Sequence, residues 1–424
     1  MSLLNFSTLL EVETCNQKDD QVNVESNSTL SVNMGIEWNG IDCEFSDWLY
    51  IPNLNLSRDY LPPELEIHLP GLKKGDQIHH HYAAGELVER WHSNLLLTIK
   101  MTQFKPFVKG LEPITPVLGR FYPKDFFDGV PDIYEGNKFP CRIISMKGNE
   151  LVLDLNHPLA RKAITVNLQI ESIKKAAAER DCRCTNIPAL ICDHGPGMQD
   201  ELEQDTTDFK HGSPFSRLDE RPDKVYFEQP QMTPYWDKLA LQIVSYHYQQ
   251  LIPIKSNILD LMAGVHSPIQ QVVCDSKSVS CAGLNLQELE SNPVCTKNIQ
   301  LDVNTTQPLP FINEEFDIVL IHAAIEYVIH PEHLMTEIGR ILKPGGKIII
   351  SFSNRSEGEK CISLWANAQE FERPGIVLSY LRSVRCFSAF KSYSHRGNLH
   401  PEQDALANKL LHSDPVYLVT AIKN

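Results

Sequence analysis

The chain has 424 residues, of which 42% are hydrophobic and 22% are charged. A domain usually holds roughly 150 residues, so we expect two domains, and the composition excludes a disordered, collagen-like or coiled-coil chain. The 54 acidic residues outnumber the 39 lysines and arginines, which gives a formal net charge of −15. This balance argues against binding to long nucleic acid or to an anionic membrane.

The apolar runs predict neither a membrane span nor an export signal. Among the longest is Lys347–Ser353, whereas a spanning helix needs roughly 20 apolar residues. Residues 1–10 lack the basic start and the long apolar stretch of a signal peptide. In such a chain, 11 cysteines indicate free thiols in a reducing compartment more than a disulfide framework. We therefore expect a cytoplasmic protein.

The first half begins with a polar segment and continues with a pattern of short strands. Residues rich in Asn, Ser and Asp at the start predict loose order. Apolar runs over 139–145, 151–155 and 163–170 predict antiparallel strands, and charges and turn residues over 200–223 predict a linker. The predicted organisation is a loosely ordered segment 1–35, a first domain 36–178, a linker 179–222 and a second domain 223–424.

In the second half, apolar strands alternate with amphipathic segments. The strands are predicted at 257–261, 279–284, 316–321 and 347–352, and the helical segments at 268–272, 285–289 and 331–342. This alternation is typical of βαβ units around a mainly parallel sheet. Ligands of such sheets bind outside the carboxyl ends of the strands, so the residues that follow each strand form the candidate site.

Four sequences follow these strands: Asp260-Leu-Met-Ala-Gly-Val-His266, Gly283-Leu-Asn285, Gln300-Leu-Asp302 and Ile321-His-Ala-Ala-Ile-Glu-Tyr327. Together with Leu342-Lys-Pro-Gly-Gly346, which leads into the fifth strand, this order resembles the class I S-adenosylmethionine-dependent methyltransferases. The resemblance covers residues 223–423. It implies a Rossmann-like α/β domain with a mostly parallel seven-stranded sheet, closed by strands near Phe390 and Val416.

The resemblance also implies a set of contacts with S-adenosylmethionine. Asp260 and Gly264 would border its methionine part, Asn285 would face the ribose, and Asp302 would accept from the adenine amine. Asn285 stands where the family carries an acid, and an amide can still donate and accept hydrogen bonds. With a lid ahead of the first strand, the implied cofactor-binding set is Asp260, Met262, Gly264, Asn285, Leu286, Asp302, Val303, Ala323, Tyr235 and Trp236.

The sequence after the fourth strand bears on the substrate, because its small residues resemble those of methyltransferases that act on small metabolites. We expect methylation of an O, N or S atom of a small molecule, with a protein side chain delivered by the first domain as runner-up. The alternative is a non-enzymatic interaction or chaperone-like module with a decayed methyltransferase domain. The catalytic candidates are His266, His322, Glu326 and Tyr327. Each histidine is also open to a purely hydrogen-bonding role, and Glu326 to that of a helix-start carboxylate.

Residues 69–173 resemble the SlyD-like branch of the FKBP prolyl isomerases. The matching sequences are Leu69-Pro-Gly-Leu-Lys-Lys-Gly-Asp76, Phe121-Tyr-Pro-Lys-Asp-Phe-Phe127 and Asn156-His-Pro-Leu-Ala160. The resemblance implies an α+β domain with an inserted flap near 85–129 that grips unfolded chains. Because Ile78 stands where the family has an aromatic residue, and the family's Ala-Tyr-Gly segment is missing, we expect a binding domain with little isomerase activity.

A cluster of soft ligands lies just before the predicted linker. Cys182, Cys184, Cys192 and His194 fall within thirteen residues and could hold Zn²⁺. Buried thiols, or a redox or substrate-facing role, are the alternatives.

Overall fold

The computed structural model describes residues 22–106, 114–131, 133–174, 184–202, 207–269, 278–355, 358–400 and 410–424. The strands in these ranges are β1 (Thr29–Asn39), β2 (Cys43–Asn55), β3 (Gln77–Tyr82), β4 (Leu96–Lys100), β5 (Phe121–Pro123), β6 (Pro140–Lys147), β7 (Glu150–Asp154), β8 (Ile164–Lys174), β9 (Asn257–Leu261), β10 (Ser278–Gly283), β11 (Lys297–Gln300), β12 (Phe316–His322), β13 (Leu342–Phe352), β14 (Phe387–Arg396) and β15 (Val416–Lys423). The helices are α1 (Leu65–His68), α2 (Ile187–Cys192), α3 (Asp223–Tyr226), α4 (Lys238–Leu251), α5 (Leu286–Ser291), α6 (Pro331–Ile341), α7 (Ser363–Ala366) and α8 (Arg373–Arg382).

Eleven of these strands form one mixed sheet in the order β11-β10-β9-β12-β13-β15-β14-β2-β1-β8-β3. From β11 to β13 every pair is parallel, and β15 runs antiparallel to both β13 and β14. The seven strands of the second half thus form the Rossmann-like arrangement that the sequence predicts. The sheet is larger and more mixed than predicted, because four strands of the first half extend it.

The two halves meet where β2 pairs in parallel with β14, from Phe390 opposite Cys43 to Arg396 opposite Leu49. At this junction the Ser394 hydroxyl donates to the buried carboxylate of Asp47 at 2.6 Å. A second link is the buried ion pair of Arg120 with Glu372, in which Nε and Nη2 donate to the two carboxylate oxygens at 2.8 and 3.0 Å. The two halves are therefore joined by main-chain and side-chain bonds, and the predicted domain boundaries remain a prediction.

The start of the described chain differs from the expectation of loose order up to residue 35. Strand β1 begins at Thr29, and its alternate residues Leu30, Val32, Met34 and Ile36 are buried in the main core. An apolar residue at every second position suits a strand packed on one face, which explains the order. Residues 1–21 lie outside the described part of the chain.

Between β3 and β8 the chain leaves the large sheet and forms a second one. This small sheet has the order β4-β7-β6-β5 and a separate core that includes Ile99, Phe127, Ile143 and Leu153. The strands predicted at 139–145, 151–155 and 163–170 correspond to β6, β7 and β8. The unit inserted between β3 and β8 extends beyond the predicted flap at 85–129, because β6 and β7 also belong to it.

In the second half, β9, β10, β12, α5 and α6 lie where the apolar pattern places them. The predicted segment 268–272 falls partly outside the described residues. Helix α4 begins after Asp237, whose carboxylate accepts from the Ala240 amide at 3.0 Å, and it buries Ile243, Val244 and Tyr248 on one face. In the linker, Phe209 packs into the main core, so part of this segment is ordered.

Two of the described cysteines are joined. Cys281 in β10 forms a disulfide with Cys295, so the expectation of free thiols is wrong for this pair. The other cysteines of the described chain are free: Cys43, Cys141, Cys184, Cys192, Cys361 and Cys386.

Among the described helices, none is long and apolar enough to cross a membrane.

Candidate functional site

A cavity of about 350 Å³ lies at the carboxyl ends of the parallel strands, where the fold predicts a ligand. One wall consists of the residues that follow β9, β10, β11 and β12. The opposite wall is formed by residues within the segment 223–236, which is called the lid segment below. The cavity gathers most of the predicted site residues: Tyr235, Met262, Gly264, His266, Asn285, Asp302, Val303, His322, Ala323 and Tyr327.

The strand-side wall has a tightly fitted backbone. Met262 and Ala323 follow β9 and β12 with φ of 61° and 52°, a left-handed conformation that side chains larger than glycine rarely adopt. A Cβ on Gly283 would lie 2.2 Å from the carbonyl oxygen of Ala263, so only glycine fits there. Strained or glycine-dependent backbone at the ends of β9, β10 and β12 is typical of a ligand site.

Asp260 lies behind this wall and does not line the cavity. Its buried carboxylate accepts from the Ser267 hydroxyl, and Asn292 Nδ2 donates at 2.8 Å to both Ser267 Oγ and the Gly264 carbonyl. Burial raises the pKa of Asp260 to about 7, although the Ser267 bond opposes the shift. Asp260 therefore shapes the loop after β9, in place of the direct cofactor contact expected from the sequence.

Asn285 caps helix α5 and also binds the lid segment. Its Oδ1 accepts from the amides of Gln287 and Glu288 at 3.0 and 3.4 Å. Its Nδ2 donates to the carbonyls of Glu228 and Phe227 at 3.1 and 3.4 Å. The next residue, Leu286, is exposed and does not line the cavity, because the helix turns it outward.

Glu288 is a cavity residue that the sequence analysis did not identify. It lies in the first turn of α5, and its Oε1 accepts from the main-chain amide of Gln231 in the lid segment at 2.7 Å. Burial raises the pKa of its carboxyl group. The available signal was an acid three residues after the predicted ribose-facing position, within the first turn of a predicted helix.

Asp302 and Asn304 line the cavity beside the end of β11. Asp302 Oδ1 accepts from the Asn304 amide at 2.9 Å. Asn304, which the sequence analysis also missed, donates from Nδ2 to Asp223 Oδ2 at 2.7 Å and to the Tyr327 carbonyl at 2.9 Å. Asp223 opens the lid segment, so Asn304 fixes the start of the lid to the strand-side wall.

The two candidate histidines lie together at one end of the cavity. His322 Nδ1 is 2.8 Å from the Ser351 hydroxyl, and burial together with the neighbouring His266 lowers the pKa of His322 to about 3. Burial also lowers the pKa of His266, whose buried Nδ1 has no hydrogen-bond partner within the described chain. Both rings are therefore neutral at pH 7. Trp236 is buried against His322, with ring centroids 4.6 Å apart, and does not line the cavity.

The remaining catalytic candidates separate from each other. Tyr327 lines the cavity, whereas Glu326 is buried within the 3₁₀ turn Ile325–Tyr327 and does not line it. The tight turn directs neighbouring side chains to different sides, so of these two residues only Tyr327 belongs to the candidate site.

The structure gives no support to the zinc hypothesis. Cys182 lies outside the described residues, Cys184 is exposed, Cys192 is buried, and the His194 ring stacks on Phe139 with centroids 5.7 Å apart. Over the described ranges, no group of three or more His, Cys, Asp or Glu residues is placed to hold a metal ion.

Comparison with solved structures and curated proteins gives several similarities. The chain is similar to an S-adenosylmethionine-dependent methyltransferase from Mesorhizobium loti, with 15% identity, a TM-score of 0.31 and coverage of 43% of this chain and 98% of that one. For the YcgJ protein of Bacillus subtilis the identity is 12%, the TM-score 0.33 and the coverage 44% and 98%. An uncharacterized protein of Methanocaldococcus jannaschii is 39% identical over 59 residues, which are 14% of this chain and 29% of that protein. The chain thus spans less than a third of this curated relative.

A family model described as a methyltransferase domain matches residues 264–350. The matched range begins in the loop after β9 and ends within β13, so it includes the strand ends after β10, β11 and β12 that line the cavity. Residues 264–350 of the second half are therefore similar to a methyltransferase domain.

Proposed function

We propose that the chain is an S-adenosylmethionine-dependent methyltransferase that binds its cofactor in the cavity of the second half. The observation that carries the proposal is the convergence of the ends of β9, β10, β11 and β12 on a single cavity. Its volume of about 350 Å³ suits a small molecule, since ligand sites usually measure ~300–1,000 Å³.

The residues of the cavity fit this cofactor. The loop at Met262 and Gly264 would hold the methionine part, Asp302 would accept from the adenine amine, and Ala323 would leave room beside the sulfur. When bound, the cofactor supplies a methyl group activated by its sulfonium. What remains for this chain is to align the acceptor, exclude water and take a proton where the acceptor carries one.

The acceptor is proposed to be an O, N or S atom of a small molecule bound near the two histidines. His266 lines the cavity and burial lowers its pKa, so its neutral imidazole can accept the acceptor's proton. Tyr235 and Tyr327 line the same cavity and would narrow it around the acceptor. A cavity covered by the lid segment favours a small acceptor over a protein side chain.

For the first half we propose a SlyD-like binding domain with little isomerase activity. Two observations support it: the small sheet inserted between β3 and β8, and a cavity of about 320 Å³ lined by Trp38, Trp91 and Phe121. Refolding of a proline-limited substrate protein should proceed at nearly its uncatalysed rate in the presence of this chain. Strong acceleration would contradict the proposal for the first half and leave the second half unaffected.

The proposed methyl transfer is tested in two steps. Calorimetric titration with S-adenosylhomocysteine should show binding at a single site, and its absence in a folded sample would favour a decayed domain. Incubation of labelled S-adenosylmethionine with a size-fractionated cell extract should then place label in the small-molecule fraction. Label confined to macromolecules would favour a protein acceptor.

A variant pair tests the role of His266. His266→Gln should retain affinity for S-adenosylhomocysteine and lose at least tenfold in turnover, as expected for a general base. His330→Gln, at an exposed position before α6, is the matched control. Equal turnover in both variants would remove His266 from the reaction.

A further inference from the structure

The side chain expected to bind the ribose has no hydrogen-bonding capacity left for it. A primary amide offers two N–H donors and one oxygen with two lone pairs. Asn285 directs its Nδ2 to two lid carbonyls and accepts with its Oδ1 from two amides of α5. In this structure Asn285 therefore serves as a helix cap and a lid contact.

A carboxylate lies one helical turn away on the same wall of the cavity. Glu288 lines the cavity and is half-buried. A Cβ on Gly264 would lie 3.1 Å from Glu288 Oε2, so this oxygen sits directly over the glycine of the loop after β9. The other oxygen, Oε1, accepts from the Gln231 amide.

We infer that Glu288, and not Asn285, accepts the ribose hydroxyls of the cofactor. The inference rests on the proposed function. A ribose presents two neighbouring O–H donors, and a carboxylate has two oxygens with several lone pairs, so it can accept from both while keeping its bond to Gln231. No other carboxylate that lines the described cavity lies on the wall formed by β10 and α5.

The assignment connects cofactor binding with the lid. Glu288 holds the main chain of Gln231, and Asn285 holds the carbonyls of Phe227 and Glu228. A ribose bound to Glu288 therefore lies beneath the same part of the lid segment that these two residues fasten. The residues of α5 that hold the lid segment would thus also lie beside the bound nucleoside.

The experiment compares two nucleoside ligands in matched variants of the full chain. Wild type, Glu288→Gln and Glu290→Gln are titrated calorimetrically with S-adenosylhomocysteine and with its 2′-deoxy analogue. Glu290 lies on the exposed side of the same helix and is the control. Wild type and Glu290→Gln should bind the deoxy analogue about tenfold or more weakly, as expected for one lost hydrogen bond to a charged group. Glu288→Gln should bind both ligands with nearly equal, reduced affinity.

Two results would overturn the assignment. If Glu288→Gln weakens both ligands but keeps the wild-type ratio between them, Glu288 only fastens the lid. If wild type itself does not distinguish the ligands, no carboxylate reads the 2′-hydroxyl. Should Glu288→Gln not fold, Glu288→Asp makes the same comparison, because it withdraws the carboxylate by one methylene. Absence of S-adenosylhomocysteine binding in wild type would instead refute the proposed function, and this inference with it.

Discussion

The two walls of the cavity are built differently. The strand-side wall consists of buried strand ends, a left-handed backbone at Met262 and a glycine in close contact with a carbonyl at Gly283. The lid segment is mostly exposed, with residues 231–234 at the surface. It is attached through polar contacts to Asn285, Glu288 and Asn304. Between its buried ends at Asp223 and Trp236, a segment that is held by a few polar contacts can open at low cost.

Because of this difference, we expect substitutions in the two walls to have different effects on the stability of the protein and on its affinity for the ligand. Changes in the strand-side wall should alter the free energy of unfolding, because they disturb buried backbone and a buried carboxyl group. Changes in the lid contacts should alter ligand affinity and leave the unfolding transition nearly unchanged.

The largest effect is expected from Asp260→Asn. Burial raises the pKa of Asp260 from 3.8 to about 7, so between these values the native state holds a proton that the unfolded chain releases. The contribution of the protonated Asp260 to the free energy of unfolding is therefore complete below about pH 4 and is lost as the pH rises through 7. The variant has no carboxyl group to titrate there. Its free energy of unfolding, relative to that of wild type, should therefore rise by on the order of 4 kcal/mol from pH 4 to pH 8. Urea unfolding at both pH values measures this, and parallel pH profiles would contradict it.

Gly283→Ala should give the next largest effect. Its Cβ would lie 2.2 Å from the Ala263 carbonyl oxygen, so the loop after β9 must move. Such overpacking costs about 1–3 kcal/mol, visible as a lower melting temperature and weaker binding of S-adenosylhomocysteine. Gly358→Ala is the control, since a Cβ there meets no atom within 4 Å. Equal melting temperatures for the two variants would show that the strand-side wall adapts.

The sequence predicted more of the strand-side wall than of the lid segment, on which only Tyr235 and Trp236 were named. The apolar runs that form β9, β10 and β12 are local signals, so the strand ends and residues such as Gly264 and Asp302 could be placed before the structure was known. The contact of Glu288 with Gln231 joins a helix to an irregular segment 57 residues away in sequence, and no periodicity marks it. The pairing of β2 with β14 is longer in range still, and short-range patterns do not encode strand register between distant segments.

A smaller effect on stability, with a clear effect on affinity, is expected from Asn304→Ala. The variant loses the bonds that Asn304 donates to Asp223 and to the Tyr327 carbonyl, and the bond that its Oδ1 accepts from the Ile329 amide. Asp223 keeps its ion pairs with Arg217 and Lys360, so the unfolding free energy should fall by about 1–2 kcal/mol. Affinity for S-adenosylhomocysteine should fall by roughly tenfold. The exposed Asn298→Ala is the control, and a large loss of stability with unchanged affinity would reverse the comparison.

The smallest effect is expected from Arg355→Lys, because Arg355 contacts the end of the lid segment at Tyr235. Arg355 donates from Nη1 to the Tyr235 carbonyl at 3.1 Å and from Nε to Asp414 at 2.5 Å. Lysine keeps the charge but cannot make both bonds in the same geometry. Affinity for S-adenosylhomocysteine should fall by about twofold to fivefold, with stability within about 0.5 kcal/mol of wild type. The exposed Arg385→Lys should match wild type, and a melting shift as large as that of Gly283→Ala would contradict the division between the walls.

The pairing of β2 with β14 also determines which strand edges the protein shows to other molecules. Without the first half, β14 would end the sheet with ten residues of unpaired main chain, and β2 would expose thirteen. In the whole chain the outermost described strands of the large sheet are β11 and β3, which have only four and six residues. Strand β3 exposes Gln77, His79 and His81 along its length. Short polar edges resist pairing with strands of other molecules. Each half expressed alone would therefore carry a long unpaired strand edge, and the pairing of β2 with β14 covers both of these edges.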